Sequence, residues 1–344
     1  MRKLLNTLYV TSPDSYLSLD GENIVILREK ETVFRIPLHN IEGVVAFGYT
    51  GASPALMGAC AERNISLCFL TPSGRFQARV VGKVHGNVVL RKEQYRKSDS
   101  SAESLKIARN TILAKLLNSK HVLERTSRDY AMRVDVNQFQ AASERLTSSI
   151  HAVQQCDTMD RLRGIEGEAA TVYFGRFDDM ILQQKEEFNF HERNRRPPLD
   201  NVNALLSFVY TLLGQNITAA LETVGLDPYV GFMHTDRPGR TSLALDLLEE
   251  LRAPFADRFV LSLINLKMVQ ASGFTKQENG AVLMDDNTRK VVLTQLQKKK
   301  QEIITHPFLG EKIEWGLVPY VQALLLARYI RGDLDEYPPF IWKR

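Results

Sequence analysis

The sequence predicts an α+β fold: a small N-terminal β-rich part followed by a larger helical one. Two observations carry this. From Thr7 to about Val84, short β-branched and aromatic runs alternate with turn residues. From about residue 101 onward, apolar residues recur at helical spacing over long stretches. A chain of 344 residues buries a substantial core without external staples, and its length favours two domains.

In the N-terminal part, Tyr16 to Leu27 reads as two alternating strands around a turn at Asp20-Gly21. Thr32 to Pro37, Gly43 to Phe47 and Ile65 to Leu70 are further strands, with one helix, Ser53 to Arg63, inserted among them. The texture changes near residues 85 to 95. This sets domains at 1–85 and 101–344, joined by a linker at 86–100, with the second domain all-helical. Its helices are expected at Ala102 to Ser119, Asp160 to Gln184, Asn201 to Thr223 and Ser242 to Leu251. Prolines in Asn194-Arg-Arg-Pro-Pro-Leu-Asp200 and Leu226-Asp-Pro-Tyr-Val-Gly231 stop one helix and set the entry of the next.

Composition narrows the function. Cys60, Cys68 and Cys156 are odd in number and lack CxxC spacing, so neither a disulfide framework nor a cysteine zinc site is indicated, and a reduced cytoplasmic compartment is expected. The basic start Met1-Arg-Lys is followed by no signal-peptide core. No run approaches the roughly 18 uninterrupted apolar residues of a membrane span. A net charge of +4 permits nucleic acid as a partner. The chain has no lysine-bearing phosphate loop and no GxSxG elbow, which removes support for nucleotide-triphosphate and serine-hydrolase chemistry.

The chemistry-bearing residues fall in two segments. In Arg163-Gly-Ile-Glu-Gly-Glu-Ala-Ala170, Glu166 lies on the helix face of Leu162, Ile165, Ala169, Val172 and Tyr173, where a carboxylate must find a positive partner or lose its charge. An ion pair with a core arginine or a metal ion would each serve, and Glu168 is the surface acid. In Gly231 through Glu249, Ser242, Asp246 and Glu249 share one helix stripe beside the core stripe Leu243, Leu247, Leu251. His234 precedes that helix on a Gly/Pro-rich loop that can aim it at the first turns. One imidazole with two or three carboxylates suits Mn²⁺ or Mg²⁺ better than structural zinc. Asp246 either completes the shell or orients a ligand. Arg193, Arg195, Arg196, Arg237, Arg240 and Arg252 crowd the same segments, as expected for DNA phosphate contacts, with pairing of Arg252 and Arg258 to Glu250 and Asp257 as the other reading. Lys298-Lys-Lys300 reads as a solvated helix face.

These segments, with Asn203-Ala-Leu-Leu206, Gly225-Leu-Asp-Pro228 and Gly86-Asn-Val-Val-Leu-Arg-Lys-Glu-Gln94, resemble in order and spacing the CRISPR-associated integrase of spacer acquisition, and most closely its type I forms. The resemblance covers nearly the whole chain. It implies a β-sandwich-like, dimerising N-terminal domain and a helical catalytic domain that binds one divalent metal through Glu166, His234 and Glu249, with Asp246 at a further acidic position. Some members carry aspartate where this chain has Glu249. It also implies a homodimer, a complex with a small ferredoxin-like second adaptation protein, and attack by the 3′-hydroxyls of captured DNA on phosphodiesters of double-stranded or branched DNA. A DNA-binding scaffold with structural ion pairs and a hydrolase of small phosphorylated compounds are the competing readings.

Overall fold

The computed structural model describes residues 5–83 and 88–342. The segment 84–87, where part of the expected domain boundary falls, lies outside them. The chain forms two compact units, and their composition differs from the sequence expectation. The first gathers residues 1–85, 284–302 and 314–317, and the second 86–283, 303–313 and 318–344.

In the first unit, β1 (Asn6–Val10), β2 (Tyr16–Asp20), β3 (Asn23–Arg28), β4 (Glu31–Pro37) and β5 (Ile41–Phe47) precede helix α1 (Pro54–Glu62), which is followed by β6 (Ser66–Leu70) and β7 (Phe76–Val80). β2, β3 and β4 form an antiparallel meander in which Asp20 pairs with Asn23 across the expected turn. The other sheet runs β1-β5-β6-β7, with β1 and β6 parallel to β5 and β7 antiparallel to β6. The parallel β5 and β6 need a crossover, and α1 supplies it, its N-terminus capped by the Ser53 hydroxyl with Pro54 in the first turn. Leu17 and Ile24 of one sheet and Val44 and Leu67 of the other share one buried core with Leu56 of α1.

The second unit opens with α2 (Val88–Asp99), so most of the expected 86–100 linker is helix. Its Gln94 is fully buried and bonds both ways with the backbone at Asp227, accepting from Asp227 N and donating to Asp227 O and Val230 O. There follow α3 (Ser101–Asp129), α4 (Val136–Gln154), α5 (Met159–Phe174), α6 (Asn201–Val224), α7 (Ser242–Leu251) and α8 (Arg258–Asn265). α5 stops at Phe174, ten residues short of the expected end. α6 is capped by Asp200 and closed by Gly225 at φ 87°, where a left-handed turn favours glycine. It is long and apolar enough to cross a membrane by composition, but most of it is packed in the core of the unit, with Leu205, Leu206 and Val209 fully buried.

The C-terminal half is not all-helical. Short strands β8 (Phe274–Lys276) and β9 (Val282–Met284) pair around the Gly280 turn, and β10 (Ile303–Thr305) and β11 (Lys312–Glu314) form a second ladder. Between them, α9 (Asp286–Gln301) belongs to the first unit. The reason is a buried charge: Lys300, expected on a solvated face, is 2% exposed and donates to Glu42 Oε1 at 2.7 Å and to the Thr7 hydroxyl at 2.9 Å. The last helix, α10 (Val318–Arg331), packs on α6 and α2 in the second unit.

Candidate functional site

Helix α7 buries three carboxylates, Asp246, Glu249 and Glu250, each at most 4% exposed. Desolvation makes such a helix untenable unless every acid finds donors or a cation. Each finds a different solution.

Asp246 is saturated by a loop. Its Oδ2 accepts from the backbone N–H of Phe232 (2.7 Å) and Met233 (3.1 Å), and its Oδ1 from that of His234 (3.0 Å). The same Oδ1 stands 2.6 Å from His234 Nδ1. A carboxylate only accepts, so Nδ1 carries the proton, and Nε2 is the nitrogen with a lone pair to offer. The loop closes this tightly because residue 231 is glycine: a Cβ there would fall 2.8 Å from Ser242 Cβ and 3.0 Å from Asp246 Oδ2. Asp246 thus orients the His234 ring, and both of its oxygens are engaged.

Glu249 has cations on both sides. Oε1 lies 2.9 Å from Arg252 Nη2 and Oε2 lies 2.7 Å from Lys115 Nζ. Burial pushes this carboxyl up, but Arg252 and Lys115 outweigh it and hold it at about 2. The same Lys115 Nζ donates to Glu166 Oε1. Glu166 therefore pairs with a lysine from α3, where an arginine was one expectation. Glu168 is at the surface as expected. Burial opposes the charge on Lys115, but Glu249 and Glu166 hold its pKa above the ordinary lysine value.

Glu250 has no cation among the contacts described. It accepts from Tyr337 OH (2.7 Å), Phe340 N (2.8 Å) and Gln322 Nε2 (2.9 Å), and burial raises its pKa to about 7. Asn118 of α3 completes this fastening: its amide donates to the Glu250 and Phe340 carbonyls and accepts from Trp342 N, each at 2.8 Å.

Glu166, His234 and Glu249 line one cavity of about 540 Å³ together with Lys115 and Arg252. His234 also lines a wider trough of about 1070 Å³ that includes Lys106, Arg109 and Arg163. A donor set of one imidazole and two carboxylates lining one cavity is the chemistry that suits a hard divalent cation. As placed, no three His, Cys, Asp or Glu side chains among the described residues converge closely enough to enclose an ion, and the positive charge between Glu166 and Glu249 is Lys115 Nζ.

The expected DNA-contacting arginines separate into two groups. Arg195, Arg196 and Arg237 are exposed. Arg193 is spent on Asn203 Oδ1 (2.6 Å) and Ser207 Oγ (3.1 Å), and Arg240 on the Thr235 and Ser242 hydroxyls. Arg252 pairs with Glu249 rather than Glu250 and lies 4.7 Å from the Tyr210 ring centroid. Asp257 is satisfied by Tyr173 and Tyr210, with burial raising its pKa to about 6. A π-helical turn, Arg252–Asp257, joins α7 to α8 around Pro254, which has no N–H to give an α-helical ladder.

A family model described as CRISPR associated protein Cas1 matches residues 8–298. The chain belongs to this family. It is 48% identical over 343 residues to a CRISPR-associated endonuclease Cas1 of Chlorobaculum tepidum, covering 100% of both chains. It is likewise 48% identical over 347 residues to one from Rhodospirillum rubrum, again covering 100% of both. Among solved structures, a casposase bound to integration product shares the fold with a TM-score of 0.84 at 22% identity, over 98% of this chain and 95% of that one. A Cas1 protein from Thermotoga maritima does so with a TM-score of 0.81 at 20% identity, over 95% and 97%.

Sequence reasoning missed Lys115 and Asn118, and named Glu250 only as a partner for Arg252. The signal for the first two was present: Lys115 and Asn118 lie on the apolar stripe of α3, among the buried Ile112, Ser119 and Val122. Glu250 gives none, because its donors come from Gln322 and the segment 337–340, which only folding brings near.

Proposed function

We propose that the chain is a metal-dependent DNA endonuclease and integrase of CRISPR adaptation, inserting captured DNA by attack of a 3′-hydroxyl on a phosphodiester. The observation that carries this is His234, with Nδ1 committed to Asp246 and its ring on the same cavity as Glu166 and Glu249. Relatives of equal length at 48% identity that are named endonucleases support it. Glu166, Glu249 and His234 Nε2 would hold one Mn²⁺ or Mg²⁺, which when bound supplies charge neutralisation at the scissile phosphate and the departing oxygen. The protein's own part is positional. Asp246 keeps the proton on Nδ1 so that Nε2 remains a donor, and Arg252, fixed on Tyr210 and Glu249, keeps one positive charge beside the cavity. The exposed Arg195, Arg196 and Arg237 would meet the phosphates of double-stranded or branched DNA.

The same reading includes a homodimer built on a sandwich-like N-terminal unit and a complex with a small ferredoxin-like adaptation protein. A structural neighbour described as a Cas6-RT-Cas1–Cas2 complex supports such an assembly. A cytoplasmic location follows from DNA as substrate. The test is strand transfer on a branched DNA mimicking a half-integrated product, with Mn²⁺, Mg²⁺ or chelator, with and without the small partner. Joining that needs metal and is lost in Glu166→Ala establishes the reading. Full joining by folded Glu166→Ala and His234→Ala proteins refutes it.

A further inference from the structure

Lys115 is unusual among the cations of the cavity because it serves two acids carried by two other helices. Its ammonium donates to Glu166 Oε1 of α5 and lies 2.7 Å from Glu249 Oε2 of α7, with the side chain 14% exposed. Arg252 is the other cation on Glu249, and it is immobilised: its guanidinium faces the Tyr210 ring at 4.7 Å and Glu249 Oε1 at 2.9 Å. Lys115 has a flexible four-carbon stem and a cavity of about 540 Å³ beside it into which the ammonium can turn.

The charges show what a divalent ion must do on arrival. Lys115 Nζ occupies the place between Glu166 Oε1 and Glu249 Oε2, so a divalent ion held by those two oxygens would stand against an ammonium at contact distance. We propose that Lys115 is a resident counter-cation that holds Glu166 and Glu249 together without metal and yields its place to a divalent ion by exchange, turning its ammonium into the cavity. This rests on the metal reading above. It accounts for the two carboxylates being gathered in a structure where the three ligands do not themselves enclose an ion.

The experiment has two arms on the full chain. Amine acylation read by mass spectrometry on the unaltered protein should find Lys115 protected in chelator and several-fold more reactive in Mn²⁺. Thermal melting should show Lys115→Met less stable than the unaltered protein in chelator, with a larger Mn²⁺-induced rise and an apparent Mn²⁺ affinity tighter by about tenfold, since a competing cation is gone. Stabilisation by Mn²⁺ with Lys115 labelling unchanged would overturn the exchange and leave the metal site standing. No stabilisation of the unaltered protein by Mn²⁺ and no change in labelling would remove the metal reading and the exchange with it. Should Lys115→Met not fold, the labelling arm decides alone.

Discussion

Asp246 Oδ1 accepts at once from the backbone N–H of His234 (3.0 Å) and faces Nδ1 of the same residue at 2.6 Å, so one oxygen fixes both the loop and the ring that the loop carries. Replacing it by an amide keeps the shape and presents an N–H₂ group to a cluster of donors. Asp246→Asn is expected to fold and to lose about 10- to 100-fold in Mn²⁺ affinity, measured by calorimetry, the usual range for a residue orienting a metal-bound histidine. Unchanged affinity would remove Asp246 from that role.

Gly231 makes the same contact possible from the backbone. A methyl group there would stand 2.8 Å from Ser242 Cβ, and the loop must shift to admit it. Gly231→Ala should cost about 100-fold in strand transfer, the order reached when a reacting group is displaced by about 1 Å, with far-ultraviolet circular dichroism unchanged. Near-normal activity would show that the loop relaxes without moving His234.

Glu250 predicts a particular pH dependence of stability. Its folded pKa is raised by burial from 4.5 to about 7, so the folded state holds a proton that the unfolded state releases. Between about pH 4.5 and 7 the unfolded chain therefore gains on the folded one, and this group's contribution to stability falls as pH rises and is constant above the folded pKa. Asp257, raised from 3.8 to about 6, acts in the same direction over a lower window. Glu249, held at about 2, acts oppositely, its contribution being complete above 4.5 and lost as pH falls toward 2. In Glu250→Gln the decline between pH 4.5 and 7 should be visibly shallower in melting curves, whatever its constant offset from replacing an acceptor. An identical slope would mean that Glu250 is ionised in the fold throughout.

The exposed arginines should behave differently from the built-in ones. Arg195→Glu with Arg196→Glu should weaken binding to DNA of any sequence and reduce the steepness of its salt dependence by about one to two phosphate contacts. Melting should change little. Arg193→Ala should instead destabilise the fold, because it removes the guanidinium bond to Ser207 Oγ and leaves Asn203 Oδ1 with only the Asn194 N–H. Equal effects of the two changes on both measurements would erase the distinction.

The parts of this molecule that could be read from sequence are those whose determinants are local. The Asp20-Gly21 hairpin, the α1 insertion and α7 at Ser242–Leu251 each carry their own turn, cap or stripe, and the structure has them where the pattern puts them. Lys300 could not be read, because its exposure is decided by Glu42 and Thr7 more than 250 residues away in sequence. The site divides along the same line. His234 and Asp246 sit 12 residues apart and their association is written in one segment. Lys115 meets Glu166 and Glu249 across three helices, and its place on an apolar stripe said that it was buried without saying what it met.

The fastening of Tyr337, Phe340 and Trp342 to Glu250 and Asn118 also sets a schedule. Glu249 and Glu250 are neighbours on α7, and until residues 337 to 342 arrive, Glu250 has a carboxylate without its tyrosine and backbone donors, and Asn118 lacks its bonds to Phe340 and Trp342. During synthesis those residues leave the ribosome long after α3, α5 and α7 have done so. A growing chain therefore carries every candidate ligand well before residues 337 to 342 arrive to fasten the helices that present them.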